Sequence, residues 1–331
     1  MRYVTIGGAT ASPRRVSALA LGAMRFGTAT EERTAFAILD RFLAAGGTFI
    51  DTANNYAWWH DGGRGGQSEA LLGRWRASRG LTHEVVIATK LGARPTRAGV
   101  NFADRMAADE GLSGASIRSA ARESRERLGV DRLDLLYAHV EDPRVPIAAT
   151  VAAFGALASA GEVALLGVWN HRAWRVERAR AIARATGVAG YEVLQYHRSY
   201  LRHRADLPSP RSAFGDPGLM TADLLEYMAA EPGLVNIAYS PLLGGGYTRP
   251  DRAPGPEYGA AGNAARLGTL AAVARETAAT RNQVVLAWLM GGSPPTIPLV
   301  GASSVDQLQE SLDAVDLELS GDQRARLDAA H

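Results

Sequence analysis

The run VVIATK, Val85–Lys90, is aliphatic for four residues, then turns polar, and it ends in the single lysine of a chain in which Lys and Arg together number 36. A strand buried in a parallel sheet reads as such a short apolar run. Arginine occupies every other basic position, as a bias towards arginine codons would produce. A lysine that persists against that bias marks a place where a compact ammonium is needed and a wide planar guanidinium does not fit. Chance survival at a strand end is the other reading, and the surroundings decide between the two.

The same pattern, a short aliphatic run followed by an amphipathic segment, recurs on both sides of this stretch. A hairpin from Tyr3–Ile6 through Gly7–Gly8 to Arg15–Ser17 is expected to open the chain. Core strands are then expected at Ala18–Leu21, Thr48–Ile50, Val85–Thr89, Leu133–Ala138, Val163–Val168, Tyr191–Leu194, Leu234–Ala238 and Thr296–Val300. Between them the periodicity predicts helices over Glu31–Ala45 with Thr30 as N-cap, Ser68–Arg79, Ala115–Leu128 behind Ser113, Ile147–Ala160 and Ala173–Ala185. Further helices are expected over Ala222–Ala230, Ala264–Ala278, Asn282–Met290 and Val305–Ala314. Eight βα units in order predict a closed (β/α)8 TIM barrel, and no Gly-x-Gly-x-x-Gly turn follows an early strand to favour an open doubly wound sheet. The 331 residues are expected to form one barrel domain over 1–331, with an inserted loop at Arg202–Gly218.

Composition removes several function classes. The 36 basic and 34 acidic side chains leave a net charge of +2, so neither nucleic acid nor an anionic membrane is implied as a partner. With no cysteine, the chain has no disulfide, zinc–thiolate site or thiol nucleophile. The first residues, MRYVTIGGATASPRR, lack a signal-peptide apolar core, and no run reaches the roughly 20 apolar residues of a membrane-spanning helix. A cytoplasmic location is the expectation.

In a barrel of this kind the residues at the ends of the strands share the face that carries active sites. Those ends supply Asp51, then Tyr56 in the following loop, Lys90, His139, Asn170, Gln195, Tyr239 with Ser240, and Gly301–Ser304. A tyrosine is a poor acid at neutral pH, but an ammonium beside it stabilises the phenolate and is expected to lower its pKa. An aspartate on the same ammonium keeps it charged and oriented. Asp51, Tyr56, Lys90 and His139 can therefore form a general-acid site for a carbonyl becoming an alkoxide. Taken singly, Asp51 can be a loop cap, Lys90 its ion-pair partner and His139 a core histidine; four on one rim favour chemistry.

At these residues the sequence resembles the aldo-keto reductases. The family pattern Asp-Thr-Ala-x-x-Tyr is present as Asp51-Thr52-Ala53-Asn54-Asn55-Tyr56. The resemblance continues through Gly66-Gln67-Ser68-Glu69, Thr89-Lys90, Leu133-Asp134-Leu135-Leu136 with His139, Gly167-Val168 with Asn170, Gln195, Ala238-Tyr239-Ser240-Pro241-Leu242 and Gly301-Ala302 with Gln307-Leu308 and Glu310. It implies interconversion of an aldehyde or ketone with the alcohol, dependent on NADPH or NADH. In that scheme Tyr56 donates the proton, Lys90 and Asp51 tune it and His139 orients the carbonyl. It also implies that Asn170 and Gln195 hold the nicotinamide carboxamide and that Tyr239 stacks on the ring. Ser240, Leu242 and Gly244 then cover the pyrophosphate, and Gly301, Ser303, Ser304, Gln307 and Ser311 hold the adenosine end.

Two departures from the family pattern matter. Trp169 stands where a serine commonly precedes the asparagine, which puts a carboxamide contact in question and offers an indole to the substrate pocket instead. Gly301–Glu310 contains neither Arg nor Lys to meet a 2′-phosphate. NADP, as the family default, is placed marginally ahead of NAD. Arg266 is a possible source of the charge from elsewhere in the chain, against the plainer reading of a solvated surface arginine.

Trp58, Trp59 and His60 follow Tyr56 in a loop containing Gly62, Gly63, Gly65 and Gly66. Two tryptophans beside a catalytic acid can wall an apolar pocket, stack on a sugar ring or anchor the loop. The Arg202–Gly218 passage is either a lid or a mobile connection. The chain ends soon after the amphipathic segment Gly321–Ala330, and the expected substrate is a polar or bulky carbonyl compound or alcohol, a sugar included. Two rival readings are a non-catalytic nicotinamide-binding regulatory subunit, which need not keep all four of Asp51, Tyr56, Lys90 and His139, and a barrel hydrolase using Asp51 with Glu141. His139, Glu141 and Asp142 are thin as metal ligands, and no metal is expected.

Overall fold

The computed structural model describes residues 1–60, 65–97, 100, 109–204, 206–207, 218–231, 233–294 and 296–331. An antiparallel hairpin of β1 (Tyr3–Ile6) and β2 (Arg14–Ser17) comes first. Eight parallel strands follow: β3 (Ala20–Gly22), β4 (Phe49–Asp51), β5 (Val86–Leu91), β6 (Leu133–Ala138), β7 (Val163–Trp169), β8 (Tyr191–His197), β9 (Val235–Tyr239) and β10 (Thr296–Gly301). They pair in chain order, and β10 returns to β3, so the barrel is closed. The expected (β/α)8 architecture is therefore present. Helices α1 (Glu32–Ala44), α2 (Gln67–Arg79), α3 (Gly114–Leu128), α4 (Ile147–Ser159) and α5 (Ala173–Thr186) accompany the first five barrel strands. The later strands carry α6 (Ala222–Ala230), α7 (Asn263–Glu276), α8 (Arg281–Met290), α9 (Val305–Asp313) and α10 (Gly321–Ala329).

Period-two alternation divides each strand between two cores. Phe49, Val86, Ala88, Leu135 and Leu165 point into the barrel, whereas Ile50, Ile87, Leu136 and Leu166 point out against the helices. Ile6 and Val16 of the hairpin join the interior cluster and close the N-terminal end of the barrel. The buried Glu192 carboxylate fastens the hairpin turn by accepting from the Ala9 and Thr10 backbone N–H groups at 2.9 and 2.8 Å.

Several strands run one to three residues past their expected ends. β8 reaches His197 and β5 reaches Leu91, so Asp51, Lys90, Gln195 and Tyr239 lie within strands and not beyond them. The cause is physical: inward polar residues interrupt the apolar run that marks a strand in sequence, while the backbone ladder continues regardless of side chain. Thr30 does not cap α1. Glu31 takes that position, and Thr30 is buried in a turn with its N–H donated to Arg25 O at 2.9 Å. Ser113 caps α3 as expected, its Oγ accepting from Ser116 N.

Inside the barrel Gly167 makes room for Tyr137. A Cβ at this position would come within 2.6 Å of the Tyr137 ring and 2.6 Å of Val193 O, and the β7–β8 register shifts beside it, between Leu166 and Gly167. Since backbone and a fully buried ring cannot both yield, Gly167→Ala is expected to lower stability by about 1–3 kcal/mol, measured as a reduced urea midpoint with unchanged slope.

Candidate active site

The inward-facing positions nearest the C-terminal ends of the strands are polar where those below them are aliphatic. β4 places Asp51 above Phe49, β5 places Lys90 above Ala88, and β6 places Tyr137 above Leu135 and ends at Ala138, with His139 one step beyond its end. β7 contributes Trp169, β8 Gln195 and His197, and β9 Tyr239. Register brings them together: β4 and β5 are neighbours with Asp51 opposite Ala88, so the inward side chains of Asp51 and Lys90 are adjacent.

Lys90 is fully buried, with its Nζ donating to Asp51 Oδ1, to Thr52 O at 2.8 Å and to Tyr56 Oη at 2.9 Å. Its three N–H bonds meet three oxygens, which a planar guanidinium could not do in the same space. Tyr56 Oη also lies 3.5 Å from Asp51 Oδ1, and Gln195 Nε2 donates to Asp51 Oδ2 at 2.8 Å. Asp51, Tyr56, Lys90 and Gln195 are thus one hydrogen-bonded cluster.

Burial pulls the Lys90 pKa below the ordinary lysine value, opposed by the charge and hydrogen bond of Asp51 and by the charge of Glu69. The Tyr56 phenol is pushed well above its ordinary value, first by burial and then by the Asp51 carboxylate. This corrects the expectation that the neighbouring ammonium lowers it. Asp51 opposes that ammonium, so the resting group is a phenol, the form a proton donor requires.

A belt of rings continues around the mouth. Tyr56 and His139 meet edge to face at 6.2 Å, and His139 and Trp169 at 4.9 Å. Trp169 lies stacked beside Tyr239 at 5.7 Å, and Tyr239 meets His197 at 5.5 Å. His197 and Tyr258, whose Nε2 and Oη are 3.1 Å apart, were not among the residues expected from sequence. The period-two pattern carried one step past Gln195 would have found His197, whereas Tyr258 sits in a loop with no such signal.

The residues assigned to a cofactor fall into two groups. Asn170 has a left-handed backbone with φ 54°, donates Nδ2 to Tyr239 Oη at 3.1 Å, and keeps a buried Oδ1 without a hydrogen-bond partner. A buried acceptor left open is what a carboxamide N–H needs. Ser240 also has a positive φ of 51°, Leu242 is half-buried, and Cβ atoms built on Gly244 and Gly301 would meet nothing within 4 Å. Of these features, the open Oδ1 of Asn170 is the one that fits a nicotinamide carboxamide. At the adenosine end, by contrast, several polar groups bond to one another locally. Ser303 N and Oγ donate to Gln307 Oε1, each at 2.9 Å, Ser304 caps α9, and the buried Ser311 donates to Gln307 O at 3.4 Å.

Arg266 is neither a surface arginine nor a phosphate ligand. It is buried, donating to Tyr200 O at 2.8 Å and Ala330 O at 2.6 Å, and it ties α7 to the carboxy-terminal segment. Trp58 is buried and meets Trp59 edge to face at 6.0 Å, while Trp59 is exposed. Gly62, Gly63 and most of the Arg202–Gly218 passage lie outside the described residues. Glu141 is held by Arg172 at 2.6 Å and by the Arg172 N–H at 2.7 Å, so its carboxylate is engaged away from Asp51. Among the described residues no group of three His, Asp or Glu side chains could hold a metal ion, and no helix is long and apolar enough to cross a membrane.

A family model described as the aldo/keto reductase family matches residues 18–331. Norsolorinic acid reductase A of Aspergillus parasiticus is 30% identical over 336 residues, covering 96% of this chain and 78% of that protein. An uncharacterized oxidoreductase of Bacillus subtilis, YrpG, is 32% identical, covering 92% of this chain and 89% of that protein. An aryl-alcohol dehydrogenase of Pestalotiopsis microspora is 28% identical over 93% of this chain and 77% of its own length.

The buried ion pair generates a stability prediction. Lys90→Met leaves the Asp51 carboxylate buried without its cation and is expected to cost about 3–5 kcal/mol. The double variant Lys90→Met with Asp51→Asn should recover part of that loss. Chemical denaturation of the four proteins in the cycle measures it, and simple additivity of the two single effects would contradict the pairing.

Proposed function

The chain belongs to the aldo/keto reductase family, and from that premise we propose that it is an NAD(P)-dependent oxidoreductase interconverting an aldehyde or ketone with its alcohol, with Tyr56 as general acid and base. The observation that carries this reading is the single contact set Tyr56 Oη–Lys90 Nζ–Asp51 on the barrel's C-terminal face. When bound, the nicotinamide supplies or accepts the hydride. Asn170, through its open Oδ1, would hold its carboxamide, with Tyr239 beside the ring, whereas Gln195, expected from the sequence to share that role, donates its Nε2 to Asp51.

The remaining steps belong to the chain's own residues. As a substrate carbonyl takes on negative charge, the Tyr56 phenol donates its proton to that oxygen, giving the alcohol. The phenolate left behind is stabilised by the Lys90 ammonium at 2.9 Å, whose charge Asp51 maintains. Thr52 O takes another of the ammonium N–H bonds and fixes its direction. His139, edge to face with Tyr56 at 6.2 Å, would hold the carbonyl by hydrogen bond. In the opposite direction Tyr56 acts as the base. The completeness of this group also favours an enzyme over a non-catalytic nicotinamide-binding subunit.

For substrate, the ring belt with Trp169 and the tryptophans after Tyr56 favour a bulky carbonyl compound bearing an aromatic ring over a sugar. The name of one relative, an aryl-alcohol dehydrogenase, points the same way. For cofactor, Gly301–Glu310 carries no cation of its own and Arg266 is occupied elsewhere, while Arg41 reaches the segment from α1, its Nε donating to Gln309 Oε1 at 2.9 Å. NADH is expected to bind nearly as well as NADPH. A small-molecule substrate and a cytoplasmic setting complete the proposal.

Fluorescence titration of the purified protein with NADH and NADPH at several salt concentrations tests the cofactor reading; tight NADPH with weak NADH would mean a phosphate clamp outside Gly301–Glu310, and binding of neither would reject the assignment. Tyr56→Phe is expected to lower turnover of an aromatic aldehyde by about 10²–10⁴-fold with little change in cofactor affinity; unchanged turnover sinks the role given to Tyr56. The raised phenol pKa also sets the pH dependence. Reduction needs the protonated form, present below that pKa, so its rate should stay level through neutral pH and fall only in strong alkali. Alcohol oxidation needs the phenolate and should rise steadily with pH. A reduction rate already falling between pH 6 and 8 would contradict this assignment.

A further inference from the structure

We propose that Glu110 is a positioning residue that fixes the Tyr56 phenol against the Lys90 ammonium by clamping together the two chain segments that carry them. This rests on the reading of Tyr56 as proton donor. Tyr56 lies in a loop of turns after β4, beside Ala57 at φ 71°, and no strand register holds it. Lys90 is on β5. What sets their separation must therefore join that loop to the end of β5.

Glu110 makes that join with one oxygen. Its Oε1 accepts from Asn54 Nδ2 at 2.6 Å and from Gly92 N at 2.7 Å. Asn54 is two residues before Tyr56, and Gly92 is two residues after Lys90. Gly92 has φ 107°, a conformation that glycine adopts without strain, and a Cβ there would meet Leu112 at 2.7 Å. Two weaker ties run in parallel, Asn54 N to Lys90 O at 3.0 Å and Asn55 Nδ2 to Ala93 O at 3.3 Å.

The Glu110 side chain is only 10% exposed, and burial raises its pKa above the usual carboxylate value. Such a group persists where neighbours hold it. Its second oxygen accepts from Arg94 Nε at 3.3 Å, Arg94 pairs with Glu123 at 2.7 Å, and Glu123 lies 3.5 Å from Arg127. Arg127 then pairs with the fully buried Glu69 at 2.7 Å, and Glu69 accepts from Thr89 Oγ1 at 2.5 Å. Alternating charges thus run from the Tyr56 loop, behind β5, to the residue next to Lys90. Misplacement of a reacting group by about 1 Å can cost on the order of 10²-fold in rate, which is the scale on which a loosened clamp acts.

The test separates position from general stability. Glu110→Gln keeps a carbonyl oxygen able to accept from both Asn54 and Gly92, Glu110→Ala removes it, and Glu110→Asp keeps the charge but falls short of both donors. With tyrosine labelled at 13Cζ, the Tyr56 resonance is identified by its loss in Tyr56→Phe. The expected result is a shifted or broadened Tyr56 signal in Glu110→Ala and Glu110→Asp, with Glu110→Gln close to wild type. Turnover should fall by about 10-fold or more in the first two and return to within about 3-fold in Glu110→Gln, at unchanged NADH affinity. A wild-type Tyr56 signal in Glu110→Asp, or a signal displaced as far in Glu110→Gln, overturns the clamp. Absence of wild-type turnover with carbonyl probes goes instead against the proposed activity, and the NMR comparison decides the clamp either way.

Discussion

A buried charge governs this structure. Taking the Lys90 ammonium and the Asp51 carboxylate out of water costs several kcal/mol for each ion, and their attraction compensates only when the geometry is good and the remaining hydrogen bonds are made. Both conditions are met here, with Asp51 Oδ1, Thr52 O and Tyr56 Oη around one nitrogen and Gln195 on the other carboxylate oxygen. Meeting them demands that β4 and β5 be neighbours in the register that points Asp51 and Lys90 inward together. It also demands that water be kept from below, which the interior layer of Phe49, Ala88, Leu135 and Tyr137 and the hairpin residues Ile6 and Val16 provide.

The same arrangement sets the chemistry of Tyr56. An isolated Lys–Tyr contact would favour the phenolate, but Asp51 sits on the same ammonium and burial penalises any further charge, so the phenol is retained. In the proposed reaction the ammonium does most for Tyr56 when the proton has left, which is when a donor to a developing alkoxide needs help. Charge in the cluster is thus matched to a change in state and not to the resting state.

Around this centre the rim is aromatic. Trp169 takes the inward position next to His139 and Tyr239, where it offers an indole face and one N–H in place of a hydroxyl. A wall of this kind discriminates by shape and polarisability more than by counting hydroxyl groups, consistent with a substrate carrying a ring. Behind the rim, the alternating charges from Glu110 to Glu69 pack α2, α3 and the post-β5 segment against the strand that bears Lys90.

Much of the fold and the centre of the site was legible in the residues themselves. The apolar runs repeat at barrel spacing, a lone lysine survives among arginines, and Asp51, Tyr56 and Lys90 stand at or just beyond strand ends on one rim, where the structure joins them in one hydrogen-bonded cluster. Strand ends are the less legible part, because polar inward residues hide the last steps of a ladder that hydrogen-bonds through its backbone. The places of Thr30 and Arg266 are not legible in sequence, because a cap or a surface charge is a local inference, whereas their burial is decided by tertiary packing, for Arg266 against the carboxy-terminal segment at Ala330. The direction of the Tyr56 pKa depended on how deeply the cluster is buried and how close Asp51 lies. Glu110 belongs wholly to tertiary structure: in sequence it is one acidic residue in a polar stretch, and only the closed barrel brings Asn54 and Gly92 to a single carboxylate oxygen. Composition and periodicity determine which residues face inward; through-space distance determines which of them act on one another.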